Sequence, residues 1–125
     1  MDLEKFREYC LDKIAATESM PFGEGVLVFK VAGKMFALAA LDEIPATVNL
    51  KCDPDLALAL RDQYDQVQPG YHMNKKHWNT VELGSGIPGA ELCKMIDHSY
   101  ELVVQRLPKK THEKLRRSRR MQNLA

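Results

Sequence analysis

The chain has 125 residues, of which 45% are hydrophobic and 28% are charged, and these proportions exclude a disordered chain and fit one globular domain. The net charge of +1 hides a strong asymmetry. Residues 109–120 hold seven basic residues and one acidic residue, a charge of +6, which leaves 11 basic and 16 acidic residues, a charge of −5, elsewhere. An electrostatic attraction for nucleic acid would therefore depend first on this basic segment.

The cysteine count and the apolar runs bear on the cellular compartment. Cys10, Cys52 and Cys93 are isolated along the chain, and an odd number argues against a disulfide framework. The first twelve residues contain no apolar run that would serve as a signal peptide. The longest apolar stretches are too short to span a bilayer. We therefore expect a cytoplasmic protein without a membrane partner.

The first half of the chain predicts one helix and three strands. Asp2 is a suitable N-cap, and apolar residues at helical spacing predict an amphipathic helix over residues 3–16. Residues 26–31 and 34–41 predict two strands joined by a tight hairpin, in which Gly33 supplies the positive φ. Residues 47–52 alternate between polar and apolar side chains, which is typical of a strand with one buried face.

The second half predicts two helices and two short strands. Asp53 and Pro54 suit the start of a helix that continues to about residue 63. Short strands are predicted at residues 66–68 and 78–83, and the longest helix extends from Pro88 to Pro108. The element order αβββαββα predicts an α+β fold, a two-layer sandwich of helices packed on an antiparallel sheet.

The longest distinctive segment is PGYHMNKKHWNTV at residues 69–81. This segment closely resembles the signature of the bacterial MmcQ/YjbR family. Four flanking features agree with the same family, namely FG at residues 22–23, VAGKMF at 31–36, LKCDP at 50–54 and SYELVV at 99–104. The resemblance covers about residues 1–110, so we expect one family domain over residues 1–108 and a separate basic tail over residues 109–125.

The resemblance implies a two-layer α+β fold related in shape to secretion chaperones and frataxin-like proteins. It also implies binding to double-stranded DNA, because the family is commonly described as having a double-wing DNA-binding arrangement. The basic tail lies outside the resemblance. Its sequence is compatible with a continuation of the preceding helix or with a disordered arm, and its arginines are candidate phosphate contacts: Arg116, Arg117, Arg119 and Arg120.

The signature segment is the main candidate site, because lysines neutralise phosphates, amides bind base edges and aromatic rings stack on bases. It contributes His72, Asn74, Lys75, Lys76, His77 and Trp78. Asn49 and Lys51 share the polar face of their strand, and Lys34 follows the hairpin. The alternative is structural, with Trp78 in the core, the two lysines in a solvated turn, and Asn49 and Lys51 facing solvent.

Neither a metal site nor a catalytic site is expected. His72 and His77 are five residues apart and would face opposite sides of a strand, and no histidine–carboxylate arrangement completes a zinc site. There is no GxSxG, P-loop or HExxH motif and no cofactor motif. We therefore predict a non-enzymatic DNA-binding protein. Two alternatives remain, a protein-binding adaptor that presents its sheet to a protein partner and a small-ligand pocket around His72 and Trp78.

Overall fold

The structure is a computed structural model that describes residues 1–70, 73–84 and 86–124, except for the side chains of residues 120 and 122–124. It contains six strands and four helices within these ranges. The elements in chain order are α1 (Leu3–Leu11), β1 (Ala16–Ser19), β2 (Val26–Val31), β3 (Lys34–Ala40), β4 (Thr47–Lys51), α2 (Pro54–Gln63), β5 (Val67–Pro69), β6 (Trp78–Glu82), α3 (Gly89–Gln105) and α4 (Lys109–Leu124). The predicted α+β class with an antiparallel sheet is confirmed.

The strands form one sheet in the order β1-β2-β3-β4-β6-β5, and all neighbours are antiparallel. The hairpin β2–β3 turns at Ala32 and Gly33, which both have positive φ. The register places Asn49 opposite Thr80 and Lys51 opposite Trp78. Since side chains two residues apart share one face of a strand, these four side chains lie on the same face of the sheet.

The main core lies between the opposite face of the sheet and the helices. α1 contributes Phe6 and Cys10, and α3 contributes a full apolar stripe. An aromatic contact joins Phe6 to Phe29 with ring centroids 5.9 Å apart, and another joins Phe36 to Tyr100 at 5.3 Å. These edge-on contacts between buried rings fix α1 and α3 on the sheet.

A β-bulge in β3 gives α3 a hydrogen-bonding contact with the sheet. The register between β2 and β3 shifts at Phe29 and Lys30, so that Phe36 is the extra residue. The buried Ser99 hydroxyl of α3 donates to the Phe36 carbonyl and accepts from the backbone N–H of Lys51 at 2.9 Å. One side chain thus satisfies both backbone groups and ties α3 to β3 and β4.

Two elements were not predicted, β1 and the separate helix α4. α1 ends at Leu11 rather than at residue 16, and Ala15 adopts a φ of 60° before the chain enters β1. The strand β1 reads Ala-Thr-Glu-Ser and lacks the apolar alternation that identifies a strand, because it is a sheet edge. α4 begins directly after Pro108 and packs Leu115 against the core.

None of the helices in the part of the chain that the structure describes is both long enough and apolar enough to cross a membrane.

Candidate anion-binding site

A cavity of about 360 Å³ opens where β3, β4 and β6 meet the C-terminal end of α3. Three cationic side chains line it, Lys34, Lys51 and Arg106. The other lining residues are apolar or aromatic: Met35, Trp78, Val103, Leu107 and Pro108. We call this cavity the basic pocket. It brings together three sequence-predicted residues, Lys34, Lys51 and Trp78, and adds Arg106, which was not predicted.

Within the part of the chain that the structure describes, no acidic side chain neutralises the cations of the basic pocket. No carboxylate is found among the described residues that line the cavity. Among the residues whose side chains are described, the ion pairs involve Arg7, Lys13, Lys94 and Arg119, and none involves Lys34, Lys51 or Arg106. Three positive charges around one partly apolar cavity create a local field that favours an anion.

The surroundings of Lys51 in the basic pocket change the pKa of its ammonium group. Partial burial lowers the pKa of its ammonium group, and the positive charge of Arg106 lowers it further. Both causes disfavour the charged form in the free protein. An anion bound in the pocket would offset both, so binding and protonation of Lys51 are expected to support each other.

α3 holds the end of β4 in place at the basic pocket. Besides the bond from Ser99 to the Lys51 backbone, Nε2 of His98 accepts from the backbone N–H of Asp53 at 3.1 Å. Asp53 in turn caps α2, since its side chain accepts from the N–H of Leu56. Hydrogen bonds from α3 therefore fix the backbone on both sides of Cys52. They position Lys51 beside Arg106, the C-cap residue of α3.

Residues 74–78 of the signature segment form a tight turn held by backbone hydrogen bonds. The side chain of Asn74 accepts from the backbone N–H of Lys76 at 2.9 Å, and its carbonyl accepts from the N–H groups of His77 and Trp78. Trp78 is only 7% exposed and packs with Val28 and Leu38, so it cannot stack on a base. Asn74 and Trp78 thus have structural roles.

Lys75, Lys76 and His77 lie on the turn next to the end of β4 that carries Lys51. The His77 carbonyl accepts from the backbone N–H of Cys52 at 2.7 Å, which places the turn at the same end of the sheet as Lys51. Lys75 and Lys76 are exposed on this turn, and His77 is half-buried. His72 lies outside the described residues, so its predicted role in a ligand pocket stays a prediction.

Arg61 of α2 is a residue that sequence reasoning missed, and it anchors the turn. Its Nε donates to the side chain of Asn79 at 2.7 Å, and its guanidinium also donates to the carbonyls of Lys75 and Trp78. Asn79 is 2% exposed, so it needs this partner. No sequence signal identifies Arg61, because its partners lie 14 to 18 residues away along the chain.

Asn49 lies outside the basic pocket, in a neighbouring groove of about 700 Å³. Its Oδ1 accepts from the Thr80 hydroxyl at 2.7 Å. The groove lies on the face of the sheet that packs no described helical residue, and we call it the open-face groove. Its apolar residues are Phe22, Val26, Met35, Leu38, Ala40 and Met73, and its carboxylates are Asp42 and Glu43.

The tail arginines divide into two groups. Arg116 and Arg117 are exposed on α4, as phosphate contacts would be. Arg119 lies 3.5 Å from Glu101 of α3, which together with the packing of Leu115 holds α4 against the domain. The side chain of Arg120 lies outside the described residues.

The chain matches a known family model over most of its length. The family model described as YjbR matches residues 11–102, which is most of the chain. The chain belongs to the YjbR family. The resemblance seen in the signature segment is thereby confirmed.

Relatives of this YjbR-family chain share most of its length. It is 43% identical to the uncharacterised protein YbdF of Escherichia coli O157:H7 over 97 residues, 77% of this chain and 79% of that protein. It is 33% identical to the uncharacterised protein YjbR of Escherichia coli K12 over 115 residues, 92% of this chain and 98% of that one. These names assign no activity.

Solved structures of similar chains have the same fold. A Deinococcus radiodurans protein with a DUF419 domain superposes with a TM-score of 0.86 at 33% identity, covering 91% of this chain and 87% of that chain. A protein from Pseudomonas syringae superposes with a TM-score of 0.72 at 28% identity, covering 82% of this chain and 98% of the other. These likenesses support the arrangement of sheet and helices, and they name no ligand.

Proposed function

We propose that the protein binds DNA, and that the basic pocket is its main phosphate contact. The observation that supports this most is the convergence of Lys34, Lys51 and Arg106 around one cavity whose described lining residues include no carboxylate. Phosphate contacts by Lys and Arg supply most of the affinity of non-specific DNA binding. The proposal is for a binding protein, and it assigns no catalytic step.

The position of α4 favours an extended anion over a small one. α4 starts at Lys109, directly after Pro108, which itself lines the basic pocket. Its exposed arginines therefore continue the positive surface away from the cavity. A single small anion would use the pocket alone, whereas a nucleic-acid backbone carries a charge at every step and can contact both.

The acidic residues at the far end of the sheet do not oppose this proposal, because they lie well away from the basic pocket. Lys34 and Lys51 lie at one end of β3 and β4. Asp42 and Glu43 follow the other end of β3, and Glu82 ends β6 on that same side. The length of β3 puts about 20 Å between the two ends, which exceeds the screening length of about 8 Å at physiological salt.

A protein-binding adaptor is the second candidate, supported by the exposed apolar groove. The sheet edges offer little for strand addition, since β1 has four residues and β5 has three and ends in a proline. Adaptor binding through an added strand is therefore disfavoured by geometry. For this reason DNA remains the first proposal.

The test is fluorescence anisotropy with a labelled DNA duplex over a series of salt concentrations. We expect Lys34→Gln, Lys51→Gln and Arg106→Gln each to weaken binding and to reduce the slope of log K against log salt by about 0.9 per lost phosphate contact. Lys5→Gln is the matched control, because Lys5 is an exposed lysine on α1, away from the pocket. The proposal is wrong if the three pocket variants bind with the affinity and slope of the control.

A further inference from the structure

The basic pocket and the open-face groove form one continuous surface. Met35 lines both cavities. Lys51 of the pocket and Asn49 of the groove lie on the same face of β4, two residues and about 7 Å apart. A ligand that places an anionic group on Lys51 can therefore place the next part of its structure beside Asn49.

The groove differs from the pocket in that its floor is apolar. Leu38 is 6% exposed and forms the floor with Met35 and Val26, while Phe22 at the rim is 65% exposed. Paired DNA presents phosphates and polar groove edges, which cannot fill such a floor. An unpaired base presents two flat apolar faces, and these stack on aromatic side chains irrespective of base identity.

Asn49 supplies a polar group of the kind that an unpaired base needs. Its Oδ1 is occupied by the Thr80 hydroxyl, so the amide presents the Nδ2 donors to the groove. Every base carries ring-nitrogen or carbonyl acceptors on its exposed edges. A donor beside an apolar floor and an exposed aromatic ring therefore fits a base without selecting one of the four.

The far end of the groove sets a limit to the bound segment. Asp42 and Glu43 line this end, and Glu43 accepts a hydrogen bond from the Thr47 hydroxyl at 2.6 Å. Carboxylates repel phosphates but accept hydrogen bonds from the exocyclic amino groups of bases. A strand can place its last bases here, but it cannot continue with further phosphates.

From these features we infer that the open-face groove binds the unpaired terminal nucleotides of a DNA strand whose adjoining phosphate lies in the basic pocket. The partner is then a DNA end that carries a short single-stranded overhang rather than a blunt duplex. This inference rests on the proposed function, because the basic pocket provides the phosphate contact.

The test compares three labelled hairpin DNAs of the same stem: one is blunt, one has a three-nucleotide 5′ overhang and one has a three-nucleotide 3′ overhang. We expect one of the overhang hairpins to bind about fivefold or more tightly than the blunt hairpin, because it adds base stacking. Phe22→Ala should remove this advantage and leave blunt binding unchanged. Leu58→Ala is the matched control, because Leu58 is 62% exposed on α2, away from the groove.

Three outcomes separate the inference from the proposed function. Equal binding of blunt and overhang hairpins overturns the inference while DNA binding stands. Equal weakening of both hairpins by Phe22→Ala also overturns it, since the groove would then not discriminate unpaired bases. If neither the blunt hairpin nor the overhang hairpins bind, both proposals are overturned. Asn49→Ala provides a second variant, and it should reduce the overhang advantage in the same direction as Phe22→Ala.

Discussion

The positive charge of Lys51 is disfavoured in the free protein and would be stabilised in a complex with an anion. Its stem lies in a cavity with Trp78 and Met35, and its charge lies near Arg106. Both burial and the neighbouring cation lower its pKa. Such a lysine gains nothing for folding from its charge, and the arrangement is understandable if an anion completes it.

We expect Lys51→Met to weaken DNA binding while leaving the free energy of unfolding unchanged or raising it by about 0.5 kcal/mol or less. Methionine keeps the apolar stem and removes the disfavoured charge. Because the folded-state pKa is lowered, the penalty is present at neutral pH and is lost as pH rises through that pKa towards the ordinary lysine value. Any stability gain should therefore be present at pH 7 and fade only as pH approaches the ordinary lysine pKa of about 10.5.

Urea denaturation at several pH values measures this effect, with Lys5→Met as the control for replacing an exposed lysine outside the pocket. A loss of more than about 1 kcal/mol at pH 7 would contradict the prediction, because it would mean that the Lys51 ammonium is stabilised by a partner in the free protein.

At the scale of the elements, the pairing of β5 with β6 depends on a close backbone approach at Gly70. The N–H of Gly70 donates to the Trp78 carbonyl at 2.9 Å. A Cβ atom at Gly70 would lie 2.9 Å from the Trp78 Cβ and 3.0 Å from the Trp78 carbonyl oxygen. Since that neighbour is largely backbone in a paired strand, it cannot move away without breaking the ladder.

We expect Gly70→Ala to lower the free energy of unfolding by about 1–3 kcal/mol through this overpacking. Gly89→Ala is the matched control, because Gly89 is the first residue of α3 and a Cβ there meets nothing within 4 Å. That control should raise stability by about 0.4–1 kcal/mol by restricting the unfolded chain. Thermal unfolding of the two variants measures both effects, and equal stability would argue against the close approach.

Local pattern predicted the elements whose side chains alternate or repeat at helical spacing. β2 and the start of β3 agree with the prediction, and β4 differs at its end by one residue. β1 could not be predicted, because an edge strand of polar residues is held by backbone pairing to β2. The basic pocket was predicted only in part, since Arg106 reaches Lys51 through the packing of α3 on the sheet.

At the scale of the whole molecule, several basic residues cluster at one end of the sheet. Lys34, Lys51, Lys75, Lys76 and Arg106 gather at one end of the sheet, and α4 continues from there. The molecule thus combines a net charge of only +1 with a strongly positive end. A field of this kind orients the protein towards a polyanion and raises the rate of productive encounter.

The clustering of basic residues leads to a prediction that distinguishes an effect of local positive charge on DNA binding from an effect of net charge. Arg116→Gln with Arg117→Gln removes two positive charges from the exposed side of α4 and leaves Leu115 and Arg119 to hold the helix. Lys5→Gln with Lys94→Gln removes the same net charge from α1 and α3, at exposed lysines outside the basic pocket. If α4 contacts phosphates, the first pair should reduce the slope of log K against log salt by about 2, whereas the second should leave it unchanged.

Binding to labelled duplex in a salt series measures both slopes on the full chain, and circular dichroism checks that α4 stays helical. Equal slopes for the two double variants would show that only net charge matters, and α4 would then lose its place in the DNA interface.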